Sequence, residues 1–318
     1  MYFIYLIIGI VLLTLGGEAL IRGSLAAAGR LGITPLLSGL VIVGFGTSAP
    51  ELVVSIDAAI NNRPEIALGN IVGSNTGNIL LILGLCAVIT PMAVKPLILR
   101  RDAITVVVTS LLFVFLAWDT SVTRIDAALL LLLLVAYLVW AYWTESRQAT
   151  VPVTLHQAEA QELTALPRTA LSICAAVIAG LLFLIVGARV LLSGAIGIAE
   201  GLGVSESVIG LTLVAAGTSL PELSISVIAA MRRHADVAVG NVLGSNIFNL
   251  LGVLGFAALL QPLPVHARML QFDQWVMVGT ALLLMLFLVT GRRISRFEGM
   301  VLLSGYIAYV VIGFQVFE

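Results

Sequence analysis

Apolar and polar positions divide this chain into long apolar runs separated by short polar connections. A helix needs about 20 apolar residues to cross the hydrocarbon core of a bilayer. Runs of that order cover roughly 3–21, 36–60, 66–90, 103–118, 125–143, 170–193, 207–230, 237–260, 274–290 and 298–316. The pattern predicts ten membrane-spanning helices. One long polar connection, 144–168, reads TESRQATVPVTLHQAEAQELTALPR and carries Glu145, Glu159 and Glu162. It separates five spans in 1–143 from five in 169–318. The first run, MYFIYLIIGIVLLTLGGEAL, has no basic n-region and no small-residue cleavage site, so it reads as a retained span rather than a signal peptide.

Charge placement orients the spans. With ten crossings, the connections alternate between two faces. One face collects Arg22, Arg30, Lys95, Arg100, Arg101, Arg147, Arg168, Arg232, Arg233, Arg292, Arg293 and Arg296; the other collects Arg63, Arg124, Arg189 and Arg268. That accounts for all 16 basic residues, 12 against 4. Cytoplasmic connections carry the excess of Lys and Arg. The richer face is therefore expected to be cytoplasmic, with both termini and the 144–168 loop placed accordingly: termini outside, loop inside.

Composition agrees. The chain is 60% hydrophobic and only 10% charged, with a mean hydropathy of +1.13, against about 25% charged residues in soluble domains. A net charge of −1 gives no reason to expect nucleic-acid binding. Cys86 and Cys174 are single cysteines in apolar runs, without the paired spacing of a metal or redox motif.

The stretch GFGTSAPELVVS (44–55) places Glu51, two glycines and Pro50 inside an apolar run. It has a twin in AAGTSLPELSIS (215–226). The offset is 222 − 51 = 171 for the glutamates, and the same offset pairs Gly46 with Gly217, Ser55 with Ser226, Pro91 with Pro262, and GNIVGSNTGN (69–78) with GNVLGSNIFN (240–249). This is a duplication. Because each half holds five spans, an odd number, the second half must enter the membrane from the opposite side. The expected architecture is all-α and polytopic, ten helices in two inverted-topology repeats, with a site between the halves near the midplane.

The duplicated residues carry chemistry. A carboxylate in hydrocarbon costs on the order of 2.5–3.5 kcal/mol on insertion scales, so Glu51 and Glu222 should face a partner or a watery cavity. Pro50 and Pro221 lack an amide proton and crowd the carbonyls of Gly46 and Gly217, so carbonyls in 44–47 and 215–218 need other partners, a cation or water among them. Thr47, Ser48 and Ser55 lie at helical spacing from Glu51, and Thr218, Ser219 and Ser226 repeat this. In the next span Asn70, Ser74 and Asn78 fall at i, i+4 and i+8, matched by Asn241, Ser245 and Asn249. The set holds hard oxygen donors and no thiolate or imidazole, since His156, His234 and His266 fall in loops. Such donors suit Ca²⁺, Na⁺ or H⁺ rather than Zn²⁺ or Cu.

The paired stretches GFGTSAPE with GNIVGSNTGN and AAGTSLPE with GNVLGSNIFN resemble the two alpha-repeats of the calcium/cation antiporter superfamily, most closely its prokaryotic sodium/calcium exchangers. The resemblance covers nearly the whole chain. It implies Ca²⁺ exchange for Na⁺ by alternating access to one central cluster of cation sites in a bacterial or archaeal plasma membrane. It implies no enzyme activity, no resident cofactor, no obligate protein partner, and no environment beyond the two ions and lipid. Its carboxylate ligands fall on Glu51 and Glu222, and its hydroxyl ligands on Ser48, Ser74, Ser219 and Ser245. Its carbonyl ligands fall on Gly44, Thr47, Ala215 and Thr218, and its polar pair on Asn78 and Asn249. Asn249 departs from several relatives, which carry Asp there, so two carboxylates are expected instead of three. The loop 144–168 is too short for a cytosolic calcium-sensing domain.

The residues themselves leave alternatives. Two glutamates can also carry protons, giving a Ca²⁺/H⁺ antiporter. An intramembrane metal-dependent hydrolase would need one asymmetric site, against which the duplication argues. A passive cation channel would place its filter on an axis among subunits, whereas inverted halves favour rocking around a fixed site.

Overall fold

In a computed structural model, residues 2–33, 35–93, 98–146, 167, 169–201, 217–291 and 293–317 are described. They are almost entirely helical. Among the described residues eight helices are long and apolar enough to cross a membrane, and a pair bent by 44° makes a ninth if it is one span. In chain order these are α1 (Tyr2–Leu31), the bent pair α2 (Gly39–Thr47) and α3 (Ala49–Ile60), α4 (Pro64–Ile89), α5 (Arg101–Asp119), α6 (Arg124–Ser146) and α7 (Ala170–Gly201). There follow α8 (Leu220–Met231), α9 (Ala235–Leu260), α10 (Met269–Gly291) and α11 (Arg296–Phe317). The expected span 207–230 is described only from residue 217, where α8 supplies its later part; its earlier part, and nearly all of the 144–168 loop, lie outside the described residues.

α4 and α9 form the centre. In their most apolar windows 78% and 83% of residues are buried, against 33% in α1 and 22% in α7. The latter two helices pack on each other and turn residues such as Ile7, Val11, Ile178 and Val186 outward. Their contact is backbone to backbone. A Cβ on Gly16 would lie 2.9 Å from the Gly180 carbonyl, and one on Gly180 would lie 2.7 Å from the Leu20 nitrogen. Without hydrophobic drive between helices in lipid, close approach through small residues is what dispersion can use. α1 and α7 run longer than the expected spans 3–21 and 170–193, because the helix continues through polar positions such as Arg22, Ser24, Ser193 and Glu200.

Two-residue strands tie the halves together. β1 (Met92–Ala93) pairs with β4 (Arg293–Ile294), and β2 (Ser121–Val122) pairs with β3 (Leu263–Pro264), both antiparallel. Each pair joins a connection from before the 144–168 loop to one from after it. By the offset of the repeat, Met92 corresponds to Leu263, so the two pairs repeat one arrangement in reverse order. Exposed Trp118 and Trp275 lie near the ends joined by β2 and β3, and exposed Trp140 and Trp143 near the other end of α6. Amphipathic rings favour the two membrane–water boundaries.

The starts of α5 and α10 each bury an aspartate. Asp102 accepts from Arg101 Nε at 2.6 Å and Nη2 at 3.1 Å, and from the Tyr137 hydroxyl at 2.8 Å. Its counterpart in the second repeat, Asp273, accepts from Arg268 Nε at 3.2 Å and from the Tyr309 hydroxyl at 3.0 Å. Both charges are neutralised within the protein, as a buried charge requires.

Candidate functional site

The break between α2 and α3 follows from sequence. Pro50 sits in the first turn of α3, where its missing amide proton costs nothing. Ser48 leaves helical geometry at φ −81°, ψ 8°, and the twin, Ser219, does the same at φ −88°, ψ 6° before Pro221 and α8. Each break presents its motif to the helix that follows: α3 packs on α4, and α8 on α9. In both α4 and α9 the helix widens into a π-type turn beginning at Asn78 and at Asn249, a distortion frequent at functional sites.

The breaks bring Glu51 and Glu222 to the centre, each only 1% exposed. The partners cross between halves. Ser48 Oγ donates to Glu222 Oε1 at 2.9 Å, and Ser219 Oγ lies 3.2 Å from Glu51 Oε1 and 3.4 Å from Ser74 Oγ. The threonines also reach across. Thr47 Oγ1 lies 3.2 Å from Asn241 Oδ1, and Thr218 Oγ1 lies 3.3 Å from Asn70 Oδ1. The two asparagines then hold the carboxylate helices of their own halves. Asn70 Nδ2 donates to the Glu51 carbonyl (3.2 Å) and Ser55 Oγ (2.9 Å), and Asn241 Nδ2 to the Glu222 carbonyl (3.2 Å) and Ser226 Oγ (2.8 Å).

The carbonyls of the first break find protein partners. Ser245 Oγ donates to the Gly44 carbonyl at 3.0 Å, which the Ser48 amide also meets at 3.3 Å. The Gly46 carbonyl, expected to be freed by Pro50, accepts the Ser48 amide. Glycine at 44 and 244 is what lets these helices touch, since a Cβ on Gly244 would fall 2.3 Å from the Leu40 carbonyl.

What remains without a partner defines the centre. Glu51 Oε2 and Glu222 Oε2 are buried without a hydrogen-bond partner, as are Asn78 Oδ1 and both amide atoms of Asn249; Asn75 Oδ1 and Gln274 Oε1, the latter in α10, share that state. Among the described residues no cluster of three or more His, Cys, Asp or Glu could hold a metal, so a cation here would rest on two carboxylates plus neutral oxygens. An unsatisfied buried polar group costs about 1–3 kcal/mol and more when charged. Four of these oxygens and one amide nitrogen, drawn from both halves, belong to Glu51, Glu222, Asn78 and Asn249.

Of the expected site residues, Thr47, Ser48, Glu51, Ser74, Asn78, Thr218, Ser219, Glu222, Ser245 and Asn249 are joined in this network or buried beside it, together with the Gly44 carbonyl. Ala215 lies outside the described residues. Two residues escaped the spacing argument. Asn246 Oδ1 accepts from Asn78 Nδ2 at 3.0 Å, and Asn246 Nδ2 donates to the Asn75 carbonyl at 3.2 Å. The signal was the shared GSN in both copies; the i, i+4, i+8 face passes one residue to its side.

The sequence pattern of the sodium/calcium exchanger protein family matches residues 1–143 and 172–315. CaxA of Alkalimonas amylolytica is 39% identical over 312 residues, covering 96% of each chain. The sodium/calcium exchanger MaX1 of Methanosarcina acetivorans is 32% identical over 356 residues and 99% of each chain. Among solved structures, the sodium-calcium exchanger NCX_Mj soaked with 10 mM Na⁺ and 10 mM Sr²⁺ superposes with a TM-score of 0.83 at 32% identity, covering 98% of this chain and 97% of that one.

Proposed function

This chain belongs to the sodium/calcium exchanger protein family, and we propose that it exchanges Ca²⁺ for Na⁺ by alternating access around the carboxylates of Glu51 and Glu222. It is a transporter, not an enzyme, and works without a cofactor. One observation carries the site: of the buried carboxylates, Asp102 and Asp273 have arginine partners, while Glu51 and Glu222 each keep a buried oxygen with none. A carboxylate held that way at membrane depth is paired with its cargo. The ligand set is Glu51, Glu222, the hydroxyls of Ser48, Ser74, Ser219 and Ser245, the carbonyls of Gly44, Thr47, Ala215 and Thr218, and the amides of Asn78 and Asn249. Hard oxygens of this number suit Ca²⁺, and fewer at a time suit Na⁺.

The reading includes ten spans in two inverted five-helix repeats, 1–143 and 169–318, joined by a cytoplasmic loop at 144–168. The strand pairs support it, since β1 can meet β4, and β2 can meet β3, only if those connections share a face, as ten crossings require. Both termini lie outside the cytoplasm. The setting is a bacterial or archaeal plasma membrane, in line with a relative from Escherichia coli named inner membrane protein YrbG, 33% identical over 313 residues. Cysteines at Asn61 and at Arg232, equivalent positions in the two repeats, should then label from opposite faces with an impermeant thiol reagent, Asn61→Cys from outside. Labelling of both from one side would refute the inversion.

The exchange reading is tested with purified protein in proteoliposomes loaded with ⁴⁵Ca²⁺. An inward Na⁺ gradient at fixed, equal pH should release the label with saturable dependence on Na⁺. Release driven by a pH gradient and indifferent to Na⁺ would replace Na⁺ with H⁺.

A further inference from the structure

The amides between α4 and α9 have a direction, and chemistry fixes it. The Asn75 main-chain carbonyl can only accept. Asn246 approaches it at 3.2 Å, so the group Asn246 presents there must be its NH₂. Its Oδ1 is thereby turned to Asn78, 3.0 Å away, and only the NH₂ of Asn78 can meet an oxygen. Asn78 Oδ1 is then left facing away from both, buried and without a protein partner. This order does not depend on which amide atom is taken as nitrogen, because a carbonyl at its start admits one bonded orientation at each step.

The other half lacks the device. Asn249 corresponds to Asn78 and is wholly buried, yet neither amide atom is bonded. Asn75, which corresponds to Asn246, instead points its NH₂ toward Met277 Sδ at 3.9 Å. Among the described residues nothing therefore sets which end Asn249 shows to the centre. An NH₂ facing a cation repels it, whereas a carbonyl oxygen binds it. A fixed oxygen at Asn78 avoids that loss.

We infer that Asn246 is a positioning residue for cation binding: anchored on the Asn75 carbonyl, it holds the Asn78 amide with its oxygen toward the ion. This rests on the reading of Asn78 as a ligand. Asn246 touches no ion and acts only through Asn78.

The test is an alanine cycle at the two positions in full-length protein, reading the half-saturating Ca²⁺ concentration for Na⁺-driven ⁴⁵Ca²⁺ uptake into proteoliposomes. That concentration is independent of how much protein reconstitutes, so a loss of folded transporter lowers the maximal rate alone. Asn78→Ala should raise it roughly tenfold, the effect of one lost ligand contact of ordinary strength. Asn246→Ala should raise it severalfold, and the double variant should match Asn78→Ala alone. Asn246→Ser takes the place of the alanine variant if the latter does not reconstitute. An unchanged value in the Asn246 variant, or a double variant in which the two effects multiply, would overturn the relay while leaving Asn78 a ligand. No change in Asn78→Ala would remove Asn78 from the site and the relay with it.

Discussion

Among the described residues two pairs of carboxylates are buried, and the same duplication placed both. Asp102 and Asp273 sit at the starts of α5 and α10 with an arginine and a tyrosine each. Glu51 and Glu222 sit at the helix breaks with a serine each from the opposite half, and one oxygen of each is unpartnered. The rim pair is closed: its charge is cancelled where it stands, and the bonds are made within one half. The central pair is open: each glutamate keeps a buried oxygen without a partner, its bonds run between halves, and on the proposed reading its charge is cancelled by an ion that can leave. Burial by itself therefore does not mark a transport site. On the proposed reading, a buried charge with no fixed counter-charge does.

The comparison makes the sharpest demand at the centre. Glu51→Gln or Glu222→Gln keeps shape and the serine contact but removes the charge, so Na⁺-driven ⁴⁵Ca²⁺ flux should fall by at least a hundredfold while the purified protein remains monodisperse. Wild-type flux in either variant would make that glutamate another structural carboxylate. At the rim the pattern should invert. Asp102→Ala leaves Arg101 buried without its counter-charge, which costs about 3–5 kcal/mol when one partner of a buried pair is removed. The melting temperature in detergent should drop, and the half-saturating Ca²⁺ concentration of whatever protein survives should stay at the wild-type value. A shift in that concentration would join the rim to the site.

A smaller effect concerns the charge count. Glu51 and Glu222 together supply at most −2, which one Ca²⁺ balances, and Asn78 and Asn249 add none. A co-bound K⁺ would leave uncompensated charge in a site of low dielectric. Ca²⁺ uptake should therefore be unchanged when K⁺ is replaced by choline on both sides. Asn249→Asp should shift the relative half-saturating concentrations of Ca²⁺, Na⁺ and K⁺ severalfold with little effect on melting temperature. Collapse of wild-type uptake without K⁺ would show that neutral oxygens alone hold the extra ion.

The open and closed pairs were not equally legible in the sequence. Of the ten expected spans, eight or nine stand among the described residues, because about 20 apolar residues in a row have one use, and the duplication was legible because a single offset held across separate landmarks from Gly46 to Pro91. Glu51 and Glu222 stood out through their breaks. The partners did not. Helical spacing set Ser48 beside Glu51, but Ser48 leaves the helix and bonds Glu222. Spacing also carried Asn78 along the face of Asn70 and Ser74, whereas the widened turn at Asn78 departs from the regular helical period and brings Asn246 to it instead. Contacts between halves depend on how two helices approach, and no periodicity within one helix encodes that. Asp102 was passed over because Arg101 beside it at a span end reads as an ordinary loop charge, and Asp273 because its arginine, Arg268, lies five residues before it.

The strand pairs have a consequence for how the chain is made. Ala93 finds its partner only at Arg293, close to the end of the chain, and Glu51 finds its serine only at Ser219, in the second repeat. At ribosomal rates of about 5–20 residues per second, the first partnership waits roughly 10–40 s. Throughout that interval the first half lies in the bilayer with its edge unpaired, and until Ser219 is made its central glutamate lacks the hydroxyl it will finally bond. Truncated nascent chains should thus expose Glu51 to water until α8 has been synthesised, and the β1–β4 pair closes only once the connection at Arg293–Ile294 is made.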